Sequence, residues 1–162
     1  MTWIKTAFAG LLYIAVSNYA AAAQTAMIAI DVDTNEVLLQ NNANVRLHPA
    51  GITKLMTLYV AFQAIESSEV SLDKIITVSN KASWAIGSEA KLDEGTEIAL
   101  RYLIRASGVR GANDASMAIA EGLSGSEELF AQRMNRTATF LGLTSSTWKN
   151  PHGLTETGLR CP

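Results

Sequence analysis

The chain is expected to fold as an α+β domain, and three observations point to this. Two short apolar runs flank a polar turn near the start, one unusually apolar helical stretch follows, and a single short strand then precedes three further helical segments. At 162 residues, 48% hydrophobic and 17% charged, the chain has room for one globular domain with a sizeable core. The formal net charge is −2 and the lysines and arginines are scattered, so nothing suggests a nucleic-acid partner. A lone cysteine, Cys161, can form no internal disulfide and reads as an incidental thiol. Two distant histidines, His48 and His152, give no metal-ligand spacing with it, and no metal or cofactor is expected.

Residues 1–23 read as a targeting segment rather than as fold. Lys5 supplies a positive start, and Thr6 to Val16 is an apolar stretch too short to span a bilayer comfortably. Ala21-Ala22-Ala23 before Gln24 has the small-residue pattern of a signal-peptidase site. The mature domain, residues 24–162, is therefore expected to be exported, to the periplasm or cell envelope; an uncleaved membrane anchor is the competing reading.

Met27 to Val32 and Val37 to Gln40 are expected strands of a hairpin, since Asp33-Thr34-Asn35-Glu36 between them suits tight backbone geometry. Pro49 ends a polar stretch and opens a helix over 51–66, apolar enough to predict burial. Ile75 to Val78 is a short strand, Ile98 to about Ser107 a helix, and Gly108 to Asn113 a loop. A third helix runs through Glu121, its Ala115, Ala118 and Ala120 permitting close packing. The fourth runs from Ser126, an N-cap followed by Glu127 and Glu128, to Leu141, with Gly142 as its stop. Its Phe130, Met134, Thr137 and Leu141 share one face. Trp84 and Trp148 carry no assignment from the pattern.

Within the apolar helix, its terminal Glu66 aside, the only charged side chain is Lys54. Ammonium groups are rarely buried without a partner, and burial lowers their pKa toward values that suit a general base. Lys54 is thus the leading functional candidate. Three residues upstream, where a serine would complete S-x-x-K, stands Gly51.

Val45 to Ala61 (V-R-L-H-P-A-G-I-T-K-L-M-T-L-Y-V-A), the G-A-N-D-A-S within Leu103 to Glu121, and Asn150 to Leu154 (N-P-H-G-L) together resemble the bacterial serine D-Ala-D-Ala carboxypeptidases, the low-molecular-mass penicillin-binding proteins. D-V-D-T-N-E-V-L is similar to the start of their catalytic domain, and the resemblance covers residues 26–158 in order. It implies a β-lactamase/transpeptidase-like fold, an antiparallel sheet flanked by helices, here C-terminally truncated. It also implies a reaction in which a serine attacks the terminal amide of a peptidoglycan stem peptide, with β-lactams trapping that serine. The family's lysine, three residues on, takes the hydroxyl proton; a second motif, S-x-N, adds a serine and an asparagine; K-T-G binds the substrate carboxylate.

Position by position the match is partial. Lys54 stands at the general-base position and Asn113 at the substrate-binding asparagine, but Gly51 occupies the nucleophile position and Gly111 that of the second-motif serine. K-T-G does not occur, and Glu156-Thr157-Gly158 is a poor substitute because a glutamate would repel a carboxylate. Thr53 points to another helix face than Lys54, Ser107 belongs to S-G-V, and neither histidine marks a Ser-His-Asp site. The chain is therefore expected to be catalytically inactive. The alternative is a non-catalytic exported binding protein for peptidoglycan peptides or for a full-length homologue. Each retained residue also has a structural reading: Lys54 bonded to carbonyls or water, Asn113 as a helix N-cap, His152 fixing a turn. Without later strands, the hairpin would present an unpaired edge open to association.

Overall fold

A computed structural model describes residues 25–155 of the protein. Residues 1–23, expected to be a targeting segment, Glu156-Thr157-Gly158 and Cys161 lie outside the described residues. The chain divides into two compact units, one ending at Leu47 and one beginning at His48.

The first unit holds the expected hairpin. β1 (Met27–Ile30) pairs antiparallel with β2 (Val37–Asn41), Ile28 opposite Gln40, with an irregularity between Ala29 and Ile30. β1 stops short of Val32 because Asp31 turns the chain. Its Oδ1 accepts the amides of Asp33 at 3.0 Å and Thr34 at 2.8 Å, and Asn35 takes a left-handed φ of 58°. All nine strand residues are exposed.

In the second unit a 3-10 turn, Ala50–Ile52, leads into α1 (Thr53–Glu66). Only one side of α1 is core, carrying Met56, Val60, Ala61 and Ala64, whereas Ile52, Leu55, Tyr59 and Phe62 lie exposed along one stripe. The expectation of a wholly buried helix is thus corrected: apolar residues on every face say nothing of which faces a partner covers. β3 (Ile75–Thr77) is the predicted strand, and it pairs antiparallel with β4 (Glu97–Ala99), Ile76 opposite Ile98. Ile98 is therefore not the start of a helix. The ladder runs on past Ala99, where the amides of Leu100 and Arg101 donate to the carbonyls of Lys74 and Leu72 at 2.8 and 3.0 Å, so α3 (Leu100–Arg110) begins later. Its end is also later than expected. Gly108 sits inside the helix, where an added Cβ would lie 3.2 Å from Leu58 Cδ1, so this glycine serves close α1–α3 packing. The connection is only Gly111 and Ala112, and α4 (Asn113–Ser124) follows. Between the strands, a short helix that the sequence pattern did not announce, α2 (Asn80–Ser83), is capped by Ser79 Oγ, which accepts the Ala82 amide at 3.0 Å.

α4 is the centre of the core. It packs on α1, α2, α3, β3 and α5 (Glu127–Phe140), and its predicted small residues are fully buried. Ser126 caps α5 as expected, accepting the Leu129 amide at 3.2 Å, and Gly142 ends it with a φ of 75°. Phe130, Met134 and Thr137 face the core, whereas Leu141 is exposed and Ala131 and Ala138 complete the contact instead. The class is α+β, with two separate two-stranded antiparallel sheets among the described residues. No helix among the described residues is long and apolar enough to cross a membrane.

Candidate active site

Lys54 lies on the first turn of α1 with 8% of its surface exposed. Its ammonium donates to the carbonyl of His152 at 3.0 Å, a neutral acceptor, and burial pushes its pKa below the ordinary 10.5. Three residues along, Thr57 Oγ1 donates to the carbonyl of Pro151 at 2.6 Å. The segment Asn150-Pro151-His152-Gly153 thus lies across the start of α1 and supplies carbonyls to two of its side chains. Asn150 shapes that segment from within: Oδ1 accepts the Gly153 amide at 2.7 Å and Nδ2 donates to Leu154 O at 2.7 Å. Gly153 has no substitute, since it holds a φ of 82° and an added Cβ would overlap the Ala50 carbonyl oxygen. Asn135 ties the incoming strand of chain, its amide group meeting both the N–H and the C=O of Trp148.

Asn113 opens α4 with 3% of its surface exposed, and it is not the N-cap. Ala112 holds that position without a side-chain cap, while Asn113 Nδ2 donates to Ile86 O at 2.6 Å and its amide to Ser88 O at 2.7 Å. Asn113 Oδ1 is buried with no hydrogen-bond partner among the described residues. An acceptor left unmade in the interior costs about 1–3 kcal/mol, so this oxygen keeps an unused capacity to accept a donor. Asp114 holds the same loop from its far side, its carboxylate accepting the amides of Ala90 at 3.0 Å and Leu92 at 3.1 Å.

These parts meet around one cavity of about 420 Å³. Gly51, Lys54, Gly111, Asn113 and His152 all line it, so every position marked in the sequence stands on the same wall space. Among the described residues, two serines also line it, and each is engaged: Ser88 Oγ donates to Arg110 O at 2.8 Å, and Ser107 Oγ is paired with Ser116 Oγ at 2.8 Å. Thr53 lines a different cleft, with Trp148 and Lys149. Among the described residues, no group of three His, Cys, Asp or Glu could hold a metal ion.

Sequence reading did not single out Thr57, Asp114 or Asn135. Thr57 and Asn135 are buried or half-buried polar residues on helices, a pattern that asks for a distant partner without naming it. Asp114 carried a weaker signal, as an acid in a first helical turn. His152 was read as fixing its turn, and it does: Nδ1 accepts the Leu154 amide at 3.0 Å.

Residues 13–161 match the family model for D-alanyl-D-alanine carboxypeptidases, peptidase family S11. The chain is 37% identical over 158 residues to D-alanyl-D-alanine carboxypeptidase DacF of Bacillus subtilis, covering 98% of this chain and 40% of that protein. Identity to DacC of Escherichia coli is 36% over 140 residues, 82% of this chain and 35% of the relative. Among solved structures, the carboxypeptidase DacD from Francisella tularensis superimposes with a TM-score of 0.77 at 32% identity, over 80% of this chain and 32% of that one. Penicillin binding protein 5 from Haemophilus influenzae gives a TM-score of 0.77 at 28% identity, over 85% and 41%. The chain therefore spans 40% or less of the length of these curated relatives. On the family match, the identities and the shared fold, the chain belongs to the D-alanyl-D-alanine carboxypeptidase family of peptidases, in its transpeptidase-like fold.

Proposed function

We propose that this chain is a carboxypeptidase-like protein of peptidoglycan metabolism that fits a peptide ending in D-alanyl-D-alanine but does not transfer its acyl group. What supports this most is the company that Lys54 keeps: a buried amine with a lowered pKa shares its cavity with Gly51, at the position of the nucleophile, and Gly111, at that of the second serine. Lys54 stands as the general base without a hydroxyl to serve. Asn113 retains a binding role, because its unpaired Oδ1 accepts an N–H such as that of a substrate amide. Loss of a serine-peptidase nucleophile costs about a millionfold in turnover, roughly 8 kcal/mol of barrier, and neither serine that lines the cavity is free to replace it.

The test is titration of the labelled protein with an acetylated D-alanyl-D-alanine peptide, followed by NMR. Shifts at the Asn113 side-chain amide, absent with the L-alanyl-L-alanine peptide, are expected. No shifts at millimolar peptide would remove the binding role. The same reading makes residues 1–23 a cleaved signal peptide and residues 24–162 a periplasmic or envelope protein. Terminal sequencing of the exported protein should then begin at Gln24.

A second reading is supported by the hairpin. Ile28, Ile30, Leu38 and Leu39 are each about half exposed, and among the described residues neither strand has a further neighbour. Such an edge pairs readily with another chain, and a full-length homologue is the partner on this reading. Co-purification that Ile28→Lys abolishes supports this, while no complex at any ratio removes it.

A further inference from the structure

Glu127 is the first residue of α5 and only 5% of its surface is exposed. A helix N-terminus favours a carboxylate in water as well, and the adjacent Glu128 stays in solvent, so the helix end alone does not account for burial of Glu127. Its two oxygens are both used. Oε1 meets Lys81 Nζ at 2.7 Å and Oε2 lies 3.2 Å from His152 Nε2. His152 itself is buried, and its Nδ1 accepts the Leu154 amide at 3.0 Å. That bond needs a lone pair on Nδ1, so the ring proton resides on Nε2 and is donated to Glu127. The carbonyl of the same histidine receives Lys54, and the preceding carbonyl receives Thr57.

The turn does not need Glu127 for its own shape, because Asn150 already binds the amides within it. What Glu127 adds is a fixed point outside the turn, on a different helix. We propose that Glu127 is a positioning residue of the cleft: held by Lys81, it fixes the tautomer and orientation of His152, and so sets the carbonyl against which the Lys54 amine is placed. The order of contacts is Lys81 to Glu127, Glu127 to the His152 ring, and the His152 carbonyl to Lys54. The charged groups facing Glu127 are Lys81 from α2, Glu121 from α4 and Glu128 on its own helix, and beside them stands the titratable ring of His152. Desolvation alone would raise the Glu127 pKa, but the hydrogen bonds from His152 and Lys81 outweigh it and hold the carboxyl below its ordinary value. The functional weight of this arrangement rests on Lys54 being the base position of the site.

Two measurements test it without any peptide. Ring nitrogen NMR of the unaltered protein should show His152 with a bare Nδ1 and a protonated Nε2 at neutral pH; the opposite tautomer would overturn the proposal. The Lys54 amine is then titrated through its labelled Cε in Glu127→Ala and Glu127→Gln. Glu127→Ala should raise the Lys54 midpoint by about one pH unit, toward that of a wetter lysine, and Glu127→Gln, which keeps an oxygen for Nε2–H, should restore it. In Glu127→Ala, a lower melting temperature with the Lys54 midpoint unmoved would mean that Glu127 is only structural. If Glu127→Ala does not fold, Lys81→Met, which removes the anchor of Glu127 at a half-exposed position, is read in the same way: a raised Lys54 midpoint is expected, and an unmoved one overturns the proposal. Failure to bind D-alanyl-D-alanine would count against the proposed function and leave these readouts as they are.

Discussion

Gly51 and Gly111 line one cavity, yet their backbones differ. At position 51 an added Cβ would meet nothing within 4 Å, and the residue is not among those with a positive φ. Gly111 ends α3 with a φ of 70°, the left-handed region in which a side chain is strained by about 1–2 kcal/mol. Gly51→Ser should therefore change stability by less than about 0.5 kcal/mol, whereas Gly111→Ser should lose about 1–2 kcal/mol. Urea unfolding of the two variants would decide it, and the reverse ranking would contradict the geometry. The consequence is chemical: the nucleophile position can be refilled as the chain stands, whereas the second hydroxyl would have to stand on a strained left-handed backbone. Lys54 and Asn113 were legible in the sequence because the motif spacing names them. The orphan Oδ1 of Asn113 was not, since nothing in a sequence says that its NH2 is taken by the carbonyl of Ile86.

Contacts between elements decide what local pattern leaves open. Gly122 lies in α4 over β3, where an added Cβ would sit 2.5, 2.7 and 2.9 Å from three side-chain atoms of Ile76. Alanine gains up to about 1 kcal/mol over glycine in a helix, but Ile76 is buried and cannot give way, and overpacking costs about 1–3 kcal/mol. Gly122→Ala should thus be destabilising, and a rise in melting temperature would show that β3 yields. The α5 N-terminus carries a pH signature. The folded-state pKa of Glu127 is lowered from 4.5, so its contribution is present above that value and is lost as pH falls through the folded value. Glu127→Gln should flatten the acid limb of the stability curve, lowering at neutral pH the stability that the native protein loses only in acid. Equal acid dependence in both proteins would contradict this. Helix starts at Ser126 and stops at Gly142 were readable because capping chemistry is local. The start of α3 was not, because the segment leading into β3 claims the amides of Leu100 and Arg101 through hydrogen bonds to Lys74 and Leu72 that no periodicity records.

Across the whole molecule the notable quantity is exposed apolar surface. Ile52, Leu55, Tyr59 and Phe62 form one uncovered stripe on α1, and the strands of the hairpin are exposed along their length. Exposed apolar surface of this kind, in each unit by itself, marks contact with something else. The purified chain should bind a hydrophobic dye strongly and self-associate, with a broad thermal transition; a sharp, cooperative transition of a monomer would count against it. The reading as a family member that has lost acyl transfer rests on Gly51, and one measurement addresses it most directly. The purified chain is incubated with a fluorescent penicillin and weighed intact. An unchanged mass is expected, with a covalent adduct appearing only if a hydroxyl is restored at position 51. A stoichiometric adduct on the unaltered chain would mean that another residue attacks, and the central claim would be wrong.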